Sequence, residues 1–122
     1  MNRFVIWFYR LVGWRLLGGT ILLITTVGRR TGRARTAVLH YQLHAGAPVV
    51  CASNAGRPKP PAWLLNIRSN PHVRVQRGRE QYECDAEEID DGEMWSAWVA
   101  RDPGYARMAG PGKQYPLVRL RS

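Results

Sequence analysis

Lysine is nearly missing from this basic chain. Only Lys59 and Lys113 stand among its 18 Lys+Arg residues, so arginine carries almost all of the positive charge. Arginine presents a planar fork that meets phosphate or carboxylate through paired hydrogen bonds, whereas lysine is a compact point charge. The shortage therefore favours shaped anion contacts, although a GC-rich coding sequence would also inflate arginine. Acidic residues are scarce as well: nine Asp+Glu leave a net charge of +9. Two cysteines, Cys51 and Cys84, are too few and too far apart in sequence for a disulfide framework. Reduced thiols and a cytoplasmic location follow from that pattern. Arg10 and Arg15 interrupt the apolar N-terminal stretch, no run reaches bilayer length, and no small-residue cleavage site follows. No Cys/His cluster has zinc spacing, and His40 and His44 lack an evident third ligand, so no metal site is expected. A Gly-x-Ser-x-Gly elbow, a Walker loop and a Gly-x-Gly-x-x-Gly fingerprint are all missing too.

What is present fits one domain over residues 1–122, with hydrophobic content of 45% and charged content of 22%, ordinary values for a folded protein. Phe4, Val5, Trp7, Phe8, Leu11 and Val12 recur at helical spacing, which predicts an amphipathic helix over residues 3–16. That helix leaves three uses open: a dimer surface, a lid, or a peripheral contact at the inner face of a membrane. A β-branched run ending at Val27 predicts a buried strand. Ala37, Leu39, Tyr41 and Leu43 alternate with Val38, His40, Gln42 and His44, predicting a strand with one buried face. Residues 45–48 are expected to turn it back into a strand over residues 49–53. Pro60 and Pro61 open a short helix with Trp63, Leu64 and Ile67 on its apolar face, and Asn70-Pro71 stops it. A hairpin through Gly78 joins the Val73/Val75 strand to the Tyr82/Cys84/Ala86 strand. Asp90-Asp91-Gly92-Glu93 has the form of a helix start, with Met94, Trp95, Trp98 and Val99 as its buried stripe, and Asp102-Pro103-Gly104 is expected to end that helix. A final strand near residues 116–120 completes about six antiparallel strands. The predicted fold is a small β-barrel with helical decoration, mainly β with helices.

Chemistry concentrates in residues 25–36, where Gly28 and Gly32 punctuate a run holding Arg29, Arg30, Arg33 and Arg35 between two apolar strands. Open backbone N–H groups, short hydroxyl donors and fixed positive charge are what a phosphate site needs. A second segment, Ala52-Ser53-Asn54-Ala55-Gly56, combines small residues that let a flat ring approach the backbone, or else forms a tight turn from strand to helix.

Taken in order, these pieces resemble the deazaflavin-dependent nitroreductase family. The resemblance runs through Thr25-Thr-Val-Gly-Arg-Arg-Thr-Gly-Arg, Arg35-Thr36, Ala52-Ser-Asn-Ala-Gly, Pro61-Ala-Trp-Leu-Leu-Asn-Ile-Arg-Ser-Asn-Pro71 and Pro103-Gly-Tyr105. It implies a split β-barrel of the FMN-binding split-barrel type and use of coenzyme F420, a phosphodiester-bearing deazaflavin with an acidic tail. By position it implies that Gly28, Arg29, Arg30, Thr31 and Arg35 hold the phosphate and tail. It further implies that Ala52, Ser53, Asn54, Ala62 and Trp63 border the ring, and that Tyr105 orients the acceptor or supplies a proton. Trp63 serves equally well as a core anchor. The implied activity is hydride transfer from reduced F420 to a small activated acceptor such as a quinone, enone or nitro compound. Alternatives are an F420 carrier without efficient turnover and an oxidoreductase that binds FMN. Split barrels of this size commonly pair, so a homodimer is among the expectations. A nucleic-acid-binding barrel is disfavoured because Trp7, Trp63, Trp95 and Trp98 fall on helical core stripes and no RNP-type aromatic motif occupies a strand.

Overall fold

A computed structural model of the chain describes residues 21–121. The amphipathic helix expected over residues 3–16 lies outside them. Six antiparallel strands close into a barrel in the order β1-β2-β3-β6-β5-β4. They are β1 Ile21–Val27, β2 Ala34–His44, β3 Ala47–Cys51, β4 His72–Arg77, β5 Glu80–Ile89 and β6 Leu117–Arg121. Three helices decorate the barrel among the described residues: α1 Ala62–Ser69, α2 Gly92–Arg101 and α3 Gly104–Ala109. The expected split-barrel class is therefore the observed one.

Two hairpins set the register with two-residue turns. Ala45 (φ 51°) and Gly46 (φ 79°) both occupy the left-handed region, the geometry that matches the twist of paired strands. The expected four-residue turn is thus shortened, and Pro48 falls inside β3 opposite Leu43. Proline is accommodated there because the β3–β6 ladder starts one residue later, at Val49↔Arg119. Gly78-Arg79 closes the β4–β5 hairpin between Arg77 and Glu80, as the sequence predicts.

The barrel interior is filled by Leu22, Ile24, Tyr41, Val50, Val73, Val75, Val118 and Leu120, plugged by Trp63, Leu64 and Ile67 of α1. A second cluster lies outside the barrel wall, where the outward residues Val49, Cys51 and Leu117 meet Trp98 of α2. Trp98 is fully buried, whereas its expected stripe partners Met94, Trp95 and Val99 are only partly so. Asp91 caps α2 by accepting the Glu93 N–H at 2.9 Å. Helix α3 follows directly where the sequence predicts only a helix end. The residues read as a stop also make a start, because proline suits a helix N-terminus as well as the end of the preceding helix.

The same covering helix corrects the reading of β2. Leu43, expected inside, is 44% exposed at the barrel end, while Gln42 and His44 are buried. Their polar groups are satisfied by one another and by the end of α2. His44 Nε2 lies 2.6 Å from Gln42 Oε1, and Gln42 Nε2 donates to Asp102 Oδ2 (2.7 Å) and to the Trp98 carbonyl (3.1 Å). His40 Nε2 meets the same carboxylate oxygen at 3.0 Å. A polar chain thus pins the α2–α3 junction to the barrel wall, and its pairing offsets the cost of burying these groups.

This chain predicts acid sensitivity. Burial, then the nearby Arg101 and Arg119, hold the His44 imidazole below its ordinary value of 6.5. Its contribution to stability is intact above that value and is lost as pH falls beneath it, because the unfolded chain takes up the proton first. Asp102 acts in the same sense at lower pH, since Gln42 and then His40 hold its carboxyl below the usual range. His72 runs oppositely: Glu83 raises its pKa, a contribution lost as pH rises. The difference between wild type and His44→Gln isolates the effect. Thermal unfolding followed from about pH 7.5 to 5.5 should show a shallower fall in Tm for His44→Gln, and parallel curves would remove His44 as the source.

Candidate functional site

The glycine–arginine segment leaves the end of β1 and re-enters the sheet at β2. It folds back on itself through the Gly28 N–H donating to the Arg33 carbonyl and the Gly32 N–H donating to the Gly28 carbonyl, both 2.8 Å. Gly32 has φ +71°, and a Cβ on Gly28 would stand 2.9 Å from Thr31 Oγ1 and 3.0 Å from the Arg33 carbonyl oxygen. Both positions therefore require glycine, one for its backbone conformation and one for close approach. Thr31 Oγ1 accepts from the Arg33 N–H at 3.2 Å, which leaves its own O–H free to donate elsewhere.

Opposite this loop lies the chain between β3 and α1. Ala52 is buried, with its N–H donating to the Pro116 carbonyl at 2.8 Å. Asn54 (φ 50°), Ala55 (φ 55°) and Gly56 (φ 82°) then take three consecutive left-handed conformations. The Asn54 side chain steadies the turn by donating to the Lys59 carbonyl at 2.8 Å. A Cβ on Gly56 would meet Met108 of α3 at 3.1 Å, so the helical arm touches this rim.

Between the two segments opens a cleft of about 600 Å³. Eight of the expected site residues line it together: Gly28, Arg29, Arg30, Thr31, Arg35, Asn54, Ala62 and Trp63. Ala52, Ser53 and Tyr105 are not among its lining residues. Tyr105 instead packs edge-on against Trp98, ring centroids 5.3 Å apart, and burial raises its hydroxyl pKa, with Cys51 and Asp102 adding to the shift. Four lining residues were missed: Thr36, Ala37, Arg57 and Asn66. Asn66 carried a readable signal, a carboxamide inside the apolar stripe of a helix. Arg57 carried none beyond its charge.

Four arginines, 29, 30, 35 and 57, face this space, and no acidic side chain stands among the lining residues. Such a groove concentrates anions and supplies charge-assisted donors along an extended ligand. The buried thiols take no part: burial pushes Cys51 up to about 12 and Cys84 up to about 11, which keeps both protonated. Among the described residues no group of three or more His, Cys, Asp or Glu forms a metal site.

Fold and cleft together define a small antiparallel split-barrel protein with an arginine-lined cleft. Residues 2–119 match the family described as F420H(2)-dependent quinone reductase, and the chain belongs to that family. It is 31% identical over 98 residues to the F420H(2)-dependent quinone reductase of Mycobacterium tuberculosis strain H37Rv. That match covers 80% of this chain, and it spans 60% of the curated relative's length, a little under two thirds. A solved F420-H2 dependent reductase superposes with a TM-score of 0.73 at 30% identity, over 84% of this chain and 94% of its own. Another solved chain, described as a domain-swapped dimer, gives 0.72 at 26% identity over 96% and 99% of the two chains.

The packing around Gly28 generates a stability prediction. Gly28→Ala should cost roughly 1–3 kcal/mol through the two close contacts. Gly92→Ala, where an added methyl meets nothing within 4 Å, should leave stability unchanged or higher. Denaturant unfolding of the pair checks this, and equal midpoints would show that the loop tolerates a side chain at Gly28.

Proposed function

We propose that this chain binds reduced F420 in the arginine-lined cleft and reduces quinone-type acceptors. The observation that carries the reading is the convergence of Gly28, Arg29, Arg30, Thr31 and Arg35 with Asn54, Ala62 and Trp63 on one open cleft. The donor set suits the cofactor's chemistry. A phosphodiester needs N–H and O–H donors with positive charge, supplied by the arginines and the spare Thr31 hydroxyl. An acidic tail needs further cations along its length, and Arg57 extends the row. The small Ala62 and the flat Trp63 leave a wall that a planar ring can approach.

When bound, reduced F420 supplies the hydride. The chain's own residues bind and orient. Arg29, Arg30 and Arg35 neutralise and fix the anionic end, and Asn54, with Ala52 and Ser53 behind it, shapes the ring end. Quinone reduction also consumes a proton, and Tyr105 is the residue we assign to the acceptor side. Burial raises its pKa, so the hydroxyl is protonated at neutral pH and serves as a hydrogen-bond donor to the acceptor oxygen. Helix α3, which carries Tyr105, reaches the cleft rim through Met108 against Gly56. Quinone acceptors follow from the family's name rather than from the broader set of enones and nitro compounds. A homodimer accompanies the proposal, since one similar solved chain is described as a domain-swapped dimer.

Fluorescence titration should show selective binding of F420 over FMN, and addition of a naphthoquinone should oxidise reduced F420. Arg29→Ala combined with Arg35→Ala should weaken F420 binding by roughly 100-fold while leaving the barrel folded. Unchanged affinity would dismantle the assigned phosphate site, and binding without quinone-dependent oxidation would return the carrier reading. Tyr105→Phe should lower turnover about 10- to 100-fold without altering F420 affinity. An unaffected rate leaves Tyr105 with its packing role on Trp98 alone.

A further inference from the structure

Asn66 is a buried carboxamide set among Trp63, Leu64 and Ile67 on the inner face of α1, only 3% exposed. Burying an amide among apolar neighbours is costly unless its polar atoms are partnered. Among the described residues, its side-chain partners belong to the strand and loop that form the cleft. Its Nδ2 donates to Thr26 Oγ1 at 3.0 Å, near the end of β1. Its Oδ1 accepts from the Arg29 backbone N–H at 3.1 Å and from Arg29 Nη1 at 3.4 Å. One side chain thereby ties together β1, the glycine–arginine loop and α1.

We infer that Asn66 is a positioning residue that presets Arg29 for the anionic group of the ligand. The inference rests on the proposed cofactor reading. Holding the backbone N–H fixes where the loop turns after Gly28. Holding a single guanidinium N–H fixes the direction of the side chain and leaves its other donors for the ligand, since arginine carries five. The carboxamide does this without charge. An aspartate would accept the same two bonds while cancelling the arginine's charge, and the cleft would lose attraction for phosphate. Prefixing a long side chain also lowers the entropy lost when it grips the ligand.

The test is a double-mutant cycle between Asn66→Ala and Arg29→Ala, read by fluorescence titration with oxidised F420 and by thermal unfolding. Asn66→Ala should weaken binding roughly tenfold in the wild-type background and less than about twofold in the Arg29→Ala background. A residue that merely stabilises the fold would weaken binding equally in both backgrounds, and that result would overturn the inference. So would unchanged affinity in the single variant. Should Asn66→Ala fail to fold, Asn66→Ser serves in the same cycle, because it keeps a small neutral polar group at the site while losing the reach to Arg29. Its F420 affinity should likewise fall in the wild-type background and change little in the Arg29→Ala background, and equal loss in both would overturn the inference. Inorganic pyrophosphate separates this outcome from failure of the cofactor reading. If wild type binds no F420 but pyrophosphate raises its Tm, loss of that shift in Asn66→Ala or Asn66→Ser upholds the positioning role while the cofactor assignment falls, and a retained shift overturns it. If neither ligand acts on wild type, both fall.

Discussion

Strand β1 is hydrogen-bonded on both edges, to β2 along its whole length and to β4 through Leu23, Ile24 and Thr25. Closure of the barrel around it is the constraint on which the rest depends. A strand with two paired edges cannot slip without moving every side chain to the other face. The loop that follows it therefore starts from a fixed point and returns to a fixed partner, since Val27 faces Ala34 across the ladder. Thr25 and Thr36 reinforce that mouth with a hydroxyl contact at 2.9 Å. A flexible, arginine-rich segment would otherwise spread under its own repulsion. Barrel closure, the loop's two internal backbone bonds and the Asn66 carboxamide hold it in one shape.

The barrel wall is used on both sides. Alternation along β3 sends Val50 into the interior and Val49 and Cys51 outward, where Trp98 covers them. The outer layer needs polar groups at its seam because β2 presents His40, Gln42 and His44 there. One carboxylate, Asp102, terminates that chain at the junction of two helices. The arm bearing Tyr105 is consequently attached through hydrogen bonds as well as through apolar contact, and its attachment responds to pH while the arginine cleft does not share those groups.

Much of this was legible in the sequence. Period-two alternation and the Gly78 turn located the β4–β5 hairpin, and Pro61 with Asn70 bracketed α1 as drawn. The loop over Gly28 to Arg35 announced itself through residue types that have few other uses side by side. What escaped notice depended on long-range contacts. Gln42 and His44 read as a solvent face because no local pattern reveals that α2 will lie over them. Helix α3 was hidden by Asp102-Pro103-Gly104, whose chemistry serves equally as a stop and a start. Asn66 stood in plain view within an apolar stripe, but its partner Arg29 is 37 residues away, a pairing only the fold discloses. Tyr105 was placed by resemblance, and its packing on Trp98 sets it apart from the residues lining the cleft.

The proposed cofactor reading places recognition at the anionic end of the ligand. Comparing F420 with its deazaflavin core lacking the phosphodiester tail, by fluorescence titration of the same protein, tests this directly. Removing the tail should weaken binding by at least roughly 100-fold, in keeping with several lost charge-assisted hydrogen bonds. Equal affinity for the core alone would move recognition away from the arginine loop.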